Sequence, residues 1–449
     1  MSIHENTPRW PLPEHRSREQ IARDGAVVAE QVRVLAPGHG RARTLAATAE
    51  TRILSRQAGA ADGNRYISSP VANTTGPVLV AEDQIVIKAD ESQLAALSDT
   101  LLADYDLQRR AGLGTHILHG RGRSMADLRS DIARLKAQNI TANINLVMPL
   151  GYVVKADAYP GFTTSLGVFP AGAIDETVRV AIIDTGRSAE NRNDAWFTGV
   201  VAAGTDPLNV LAPLDRNDWF AGHGTFTAGI VRQIAPTCEI VVYRFTGPDG
   251  LGTDDAAADM FIKAADEAAR DGRRLIINAS FGAPAVDGVP PLALQEAVEY
   301  IATRYPEVLI VASAGNDGSD EPLYPAAFGD FGVKAVGALN PDLSGAAFSN
   351  RGDWVDCSTV GVGVVSTYVQ GKVPPEPNIG TDVVFPADAW ATWSGTSFTA
   401  PQISAAVAQL CSDTATLDPR SAFDQLLAGR PRTNEFGVVV HLLRGTPPA

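Results

Sequence analysis

Cysteine is scarce in this chain of 449 residues: Cys238, Cys357 and Cys411 are all there is. An odd number, wide spacing and no CxxC pair exclude a disulfide framework and a cysteine-built zinc site, and leave buried free thiols as the expectation. A basic excess is missing too. The formal net charge is −14, which argues against nucleic acid or an anionic membrane as the main partner. No apolar run approaches the roughly 20 residues of a membrane span. The opening MSIHENTPRWPLPEHRSREQ has no apolar h-region of a secretory signal, so a cytoplasmic location is the default expectation, with atypical export as the exception. There is no HExxH and no paired histidine in the α/β part described below, so a metal-dependent hydrolase lacks its ligand spacing.

What is present describes a folded, multi-domain chain. Apolar residues make up 45% and charged residues 20%, and the length exceeds what one compact core usually needs. Residues 1–75 read as a flexible arm. Their first 60 residues hold nine Arg, no Lys and six acids, are interrupted by Pro8, Pro11, Pro13 and Pro37, and allow one helix, over 19–35.

Residues 76–150 carry a different pattern. QIVIKA (84–89) alternates like a strand, Asp90 can cap the helix that follows, and Leu94, Leu97, Leu101 and Tyr105 share its buried face. Short strands are predicted near 106–110 and 114–119. Ser124 and Asp127 form a capping box before a helix that buries Met125, Leu128, Ile132 and Leu135, and 143–148 alternates again. The order β-α-β-β-α-β is that of a small ferredoxin-like domain. A linker follows over 151–177.

From 178 to 430 the grammar is that of short, wholly apolar strands (178–183, 240–243, 275–278, 308–312) separated by helices such as 260–270 and 292–303. Such strands imply a mostly parallel sheet with helices on both faces. Residues 431–449 form a C-terminal strand and tail. Ligands of such a sheet gather at the carboxyl ends of its strands. Asp184 stands there in IIDTG. His223 lies between two glycines in AGHGTFTAGIV and is the one histidine between Asp184 and Ser397. Asn316 follows an apolar strand in IVASAGNDGS. Ser397, in TWSGTSFTAPQ, sits where a helix N-cap is expected, and free N–H groups at a helix start also favour an oxyanion. Each residue alone has a bland structural reading. Together, in the order Asp…His…Ser, they match one of the known solutions of a nucleophilic triad.

These motifs resemble the subtilisin-like serine proteases, the subtilases, over about residues 155–430. INASFG (277–282), YPAAFGDFGVKAVGAL and AAFSNRGDWVD extend the likeness. The resemblance implies that Asp184 orients the imidazole, His223 is general base and acid, Ser397 is the nucleophile, and Asn316 donates to the oxyanion. It implies that Gly250, Leu251 and Gly252 pair with substrate backbone as an added strand while Ser280, Phe281 and Gly282 wall the other side. Asp317 would then reach the P1 pocket and Asp254 and Asp255 the P4 side, giving tolerance of basic or polar substrate side chains. The second histidine frequent in the family is Phe226 here, and VDCSTVGVG replaces the usual Ala-Pro-Gly turn. No cofactor is required; calcium is common in the family, with no ligand set mapped here. Residues 76–150 resemble the subtilase propeptide, an intramolecular inhibitor, which implies an autoprocessed zymogen cut between about 148 and 160, with GYVVKA (151–156) suited to the cleft. Partners are peptide or protein substrates, and a catalytically silent peptide-binding protein is the alternative.

Overall fold

The computed structural model describes residues 10–36, 66–69, 78–97, 101–110, 112–150, 160–169, 172–211, 214–373 and 382–449. The first folded unit past the arm is an antiparallel sheet in the order Thr141–Leu146, Val78–Lys88, Thr115–Gly120, Tyr105–Arg109, with Tyr66–Ser69 added along the first half of Val78–Lys88. Helices Glu91–Leu97 and Met125–Ala137 complete the β-α-β-β-α-β order. The second helix starts where its local chemistry demands. Ser124 and Asp127 make both capping-box bonds, and Leu128, Ile132 and Leu135 are buried.

The larger unit is built on nine strands. From one edge they run Arg432–Thr433, Gly437–Val439, Cys357–Val360, Val333–Leu339, Leu309–Ser313, Arg274–Ala279, Asp175–Asp184, Cys238–Arg244 and Val200–Ala202. All pairs are parallel except the first. The chain moves from Asp175–Asp184 out to one edge, then crosses back to build the other side, so the order reverses at that strand. This is the switch point where such sheets bind ligands. Val180, Ile182, Ile276 and Val311 are fully or almost fully buried on the side of helices His223–Ile234 and Ala400–Asp413, while Ala181, Ile183 and Ile277 meet helices Asp254–Arg270 and Leu292–Arg304. A strand buried on both faces has to be apolar throughout, which is why these strands are legible in the sequence.

The two units share one core. A single buried cluster runs from Ile87, Ile117 and Leu146 through Leu150 to Phe261, Leu294 and Ala312. Polar contacts flank it: Asn145 donates to Asp255 at 2.9 Å, Arg110 to Asp259 at 2.6 Å, and Gly114 and Thr115 N–H to Glu296 at 2.6 and 2.9 Å.

The arm departs from expectation. Over residues 10–36 it is not loose: helix Arg18–Leu35, capped by Ser17 and Gln20, buries Val28, Gln31, Val34 and Leu35. The sequence could not place it, because its partners lie hundreds of residues away. All three cysteines are buried free thiols, and burial pushes Cys238 up to about 12 and Cys411 up to about 11. Among the described residues no helix is long and apolar enough to cross a membrane.

Candidate active site

Three turns converge at the switch point. Asp184 ends the central strand, and its two carboxylate oxygens lie 2.9 and 2.8 Å from His223 Nδ1, both side chains fully buried. The Thr185 N–H donates to Asp184 Oδ1 at 2.7 Å and holds the carboxylate still. His223 opens its helix, after Gly222 in the left-handed conformation (φ 83°). Gly224 explains how the two turns come so close. A Cβ there would stand 2.3 Å from the Gly186 carbonyl oxygen and 3.3 Å from the Asp184 Cβ, so only glycine admits the approach. The imidazole is enclosed by Phe220, Trp393 and Phe398, with ring centroids at 6.0, 5.4 and 5.4 Å. Among the described residues, its Nε2 has no hydrogen-bond partner. A neutral imidazole whose Nδ1–H faces a carboxylate presents Nε2 as the base.

Ser397 is 1% exposed. It does not cap the following helix, as its sequence setting suggested. A 3₁₀ turn, Thr396–Phe398, intervenes, and the helix starts at Ala400 with Thr399 before it and no side-chain cap bond. Ser397 Oγ instead lies 3.2 Å from the Leu150 carbonyl oxygen and 3.4 Å from that of Ser280. Asn316 follows strand Leu309–Ser313 and its Oδ1 accepts from the N–H and Oγ of Thr396, at 2.7 and 3.0 Å. Those two donors identify the oxygen end of the amide and leave its NH₂ end as the donor.

Residues 147–150 lie in the cleft beside this group as an added strand. Met148 and Leu150 N–H donate to the Gly252 and Gly250 carbonyls at 2.7 and 3.0 Å, and the Gly282 N–H donates to the Pro149 carbonyl at 3.2 Å. Leu150 is 1% exposed. The described part of the cleft's occupant ends at Leu150, and GYVVKA (151–156) lies outside the described residues.

Gly250, Gly252 and Gly282 thus meet the occupant through backbone atoms, while Ser280 meets Ser397 with its carbonyl oxygen and with its Oγ, which donates to the Ser397 carbonyl at 2.8 Å. Leu251 is buried and pairs by backbone with Gly247. Phe281 does not line the cleft with its ring, which packs 4.4 Å from Phe245 and 6.2 Å from Phe261 inside the core. Asp317 is exposed, its N–H donating to Asn350. Asp254 is buried and accepts the N–H groups of Ala293 and Leu294 at the head of the next helix, and Asp255 receives Asn145; neither makes a subsite wall by these contacts.

One residue of this neighbourhood carries no motif. Asp206, on the two-residue strand Thr205–Asp206, accepts from Thr185 Oγ1 at 2.8 Å and from the Gly222 N–H at 2.6 Å. It ties the Asp184 turn to the His223 turn. Burial pushes its carboxyl up to about 8, against the pull of those donors, and the nearby Asp184 charge adds to the rise. Among the described residues, no group of three or more His, Cys, Asp or Glu side chains is placed to hold a metal ion.

The profile of the subtilase family matches residues 175–429, more than half of the chain. Among curated proteins the chain is 32% identical to "Thermophilic serine proteinase" of Bacillus sp. (strain AK1), over 52% of this chain and 52% of that protein. It is 29% identical to "Thermitase" of Thermoactinomyces vulgaris, over 52% of this chain and 75% of thermitase, and 30% identical to "Subtilisin BL" of Lederbergia lenta, over 53% and 77%. The chain spans about half the length of the first of these relatives. A solved structure, fervidolysin from Fervidobacterium pennivorans, described as a keratinolytic enzyme related to subtilisin, aligns with TM-score 0.56 at 18% identity, covering 85% of this chain and 61% of fervidolysin. That likeness concerns the fold.

Proposed function

Since the chain belongs to the subtilase family, we propose that it is a serine endopeptidase made as a zymogen that cuts itself between Leu150 and Gly151. The observation that carries this reading is the seat of residues 147–150: an extended segment held on both sides by backbone bonds, with the Leu150 carbonyl oxygen 3.2 Å from Ser397 Oγ. Ser397 Oγ attacks the Leu150 carbonyl carbon while His223 Nε2 takes its proton and Asp184 stabilises the imidazolium. The oxyanion gains the Asn316 amide and the Ser397 N–H as donors. Collapse breaks the C–N bond, His223 returns the proton to the Gly151 amine, and water hydrolyses the Leu150 acyl-enzyme by the same relay.

The same geometry supports the unit over 76–150 as an intramolecular inhibitor, since its last strand runs directly into the occupied cleft. The residue facing Ser397 is a buried leucine, which supports an apolar P1 preference rather than the tolerance of basic or polar side chains argued from Asp317, Asp254 and Asp255. As for location, one relative is named as an extracellular protease, and the cytoplasmic expectation gains nothing from the relatives.

Intact-mass measurement tests the reading. Purified wild type is expected to be split at Leu150–Gly151, and Ser397→Ala to remain whole. A wild-type chain that stays whole and leaves Ser397 unreactive toward a fluorophosphonate would instead support a silent peptide-binding protein. Among peptide substrates, Leu at P1 should exceed Lys by about tenfold or more in kcat/KM, because an apolar pocket gives a buried ammonium no partner.

A further inference from the structure

The arm sits directly behind the nucleophile. Strand Trp390–Trp393, which leads through Ser394 and Gly395 to Ser397, is paired on one side with Val364–Thr367 and on the other with Gly161–Thr163. Helix Arg18–Leu35 packs across it. Gln31, 2% exposed, donates from Nε2 to the Thr392 carbonyl at 3.0 Å and accepts at Oε1 from Ser394 Oγ at 2.8 Å. Ser394 Oγ in turn accepts from the Gly363 N–H at 3.0 Å. One amide therefore clamps two residues that lie five and three positions before the nucleophile.

The rest of the arm is anchored independently of the inhibitor-like unit. Thr163 Oγ1 donates to Asp24 at 2.6 Å, Arg16 donates to the Gly445 carbonyl at 2.9 Å, and Leu12 N–H donates to the Leu442 carbonyl at 2.9 Å. Val28 and Leu35 complete a small core with Ala338, Phe348 and Val362. None of these partners lies in 78–150.

We propose that residues 10–36 are a working part of the catalytic domain, in which Gln31 is a positioning residue for the Ser397 turn, and that this segment stays bound without a covalent link once the chain has been processed. The second half rests on cleavage at Leu150–Gly151; the first half does not. A buried amide with both ends satisfied resists displacement, because its loss strands polar groups on both partners. A nucleophile displaced by even a fraction of an ångström reacts more slowly.

Full-length Gln31→Ala, Ser394→Ala, the double variant and Val28→Ala are compared by rate of fluorophosphonate labelling, well below their melting temperatures. Gln31→Ala is expected to label about tenfold more slowly. Ser394→Ala breaks the same contact from the other side and should match it, and the double variant should lose no more than either alone. Val28→Ala empties packing without touching the clamp, so it should melt earlier yet label at the wild-type rate. Wild-type rates in both Gln31→Ala and Ser394→Ala, or an equal fall in Val28→Ala, overturn the positioning role. In parallel, active enzyme whose 78–146 unit has been degraded is isolated by size exclusion and its mass measured after denaturation. A peptide containing residues 10–36 is expected alongside the large fragment, and its absence overturns retention. An uncut chain would defeat the processing reading alone, and the labelling comparison would still decide the role of Gln31.

Discussion

Asp206 brings a second carboxylate against the Asp184–His223 pair, and its ionisation has a definite direction. Its carboxyl is raised from 3.8 to about 8 by burial, so the fold holds the proton more tightly than the unfolded chain does. The stability it contributes is intact below the unfolded value and is lost as pH rises through about 8. Asp206→Asn keeps an acceptor toward Gly222 and Thr185 and abolishes the titration. Its melting temperature relative to wild type should therefore climb between about pH 5 and about pH 9 in calorimetry; a flat or falling difference would refute the assignment. Gly224 gives a second test. The 2.3 Å clash with the Gly186 carbonyl means that Gly224→Ala must push the His223 helix off Asp184. A kcat loss on the order of 10² is expected, with KM little changed.

At the scale of elements, Glu296 ties the two units together, since its buried carboxylate accepts from Gly114 N–H, from the Thr115 N–H and from Thr115 Oγ1. Hydrogen bonds to a charged group contribute about 1.5–3 kcal/mol each. In a Ser397→Ala background, Glu296→Ala should accelerate amide exchange at Gly114 and Thr115 by at least about tenfold, without changing exchange in strand Asp175–Asp184. Elements also show what the sequence could and could not disclose. The apolar strands and the Ser124 capping box were legible because burial on both faces and a three-residue contact are local facts. Strand ends ran longer than predicted, as in Asp175–Asp184, because ladder partners set them. Ser397 read as a cap because helix propensity is local, whereas the intervening 3₁₀ turn is imposed by the loops that seat Thr396 on Asn316. The ring of Phe281 is another such case: a loop residue beside the cleft reads as its wall, whereas in the fold Phe245 and Phe261 draw the ring into the core. Asp206 carried no motif at all, as only the folded sheet brings it to Thr185.

For the whole molecule, both ends of the described chain meet on one side of the catalytic domain. Leu12 pairs with Leu442, and the Ala449 N–H donates to the Gly25 carbonyl at 3.0 Å. Truncation after residue 440 should thus lower the melting temperature and expose the arm helix to added protease, although Asp184, His223 and Ser397 are untouched. An arm whose sensitivity to protease is unaltered by the truncation would contradict this coupling.

The separations involved are extreme. Gln31 waits for a partner 361 residues downstream and Arg16 for one 430 residues downstream. During synthesis at about 5–20 residues per second, helix Arg18–Leu35 has no seat for roughly 20 to 90 seconds. Vectorial synthesis itself therefore delays the seating of the arm helix on the strand that leads to Ser397.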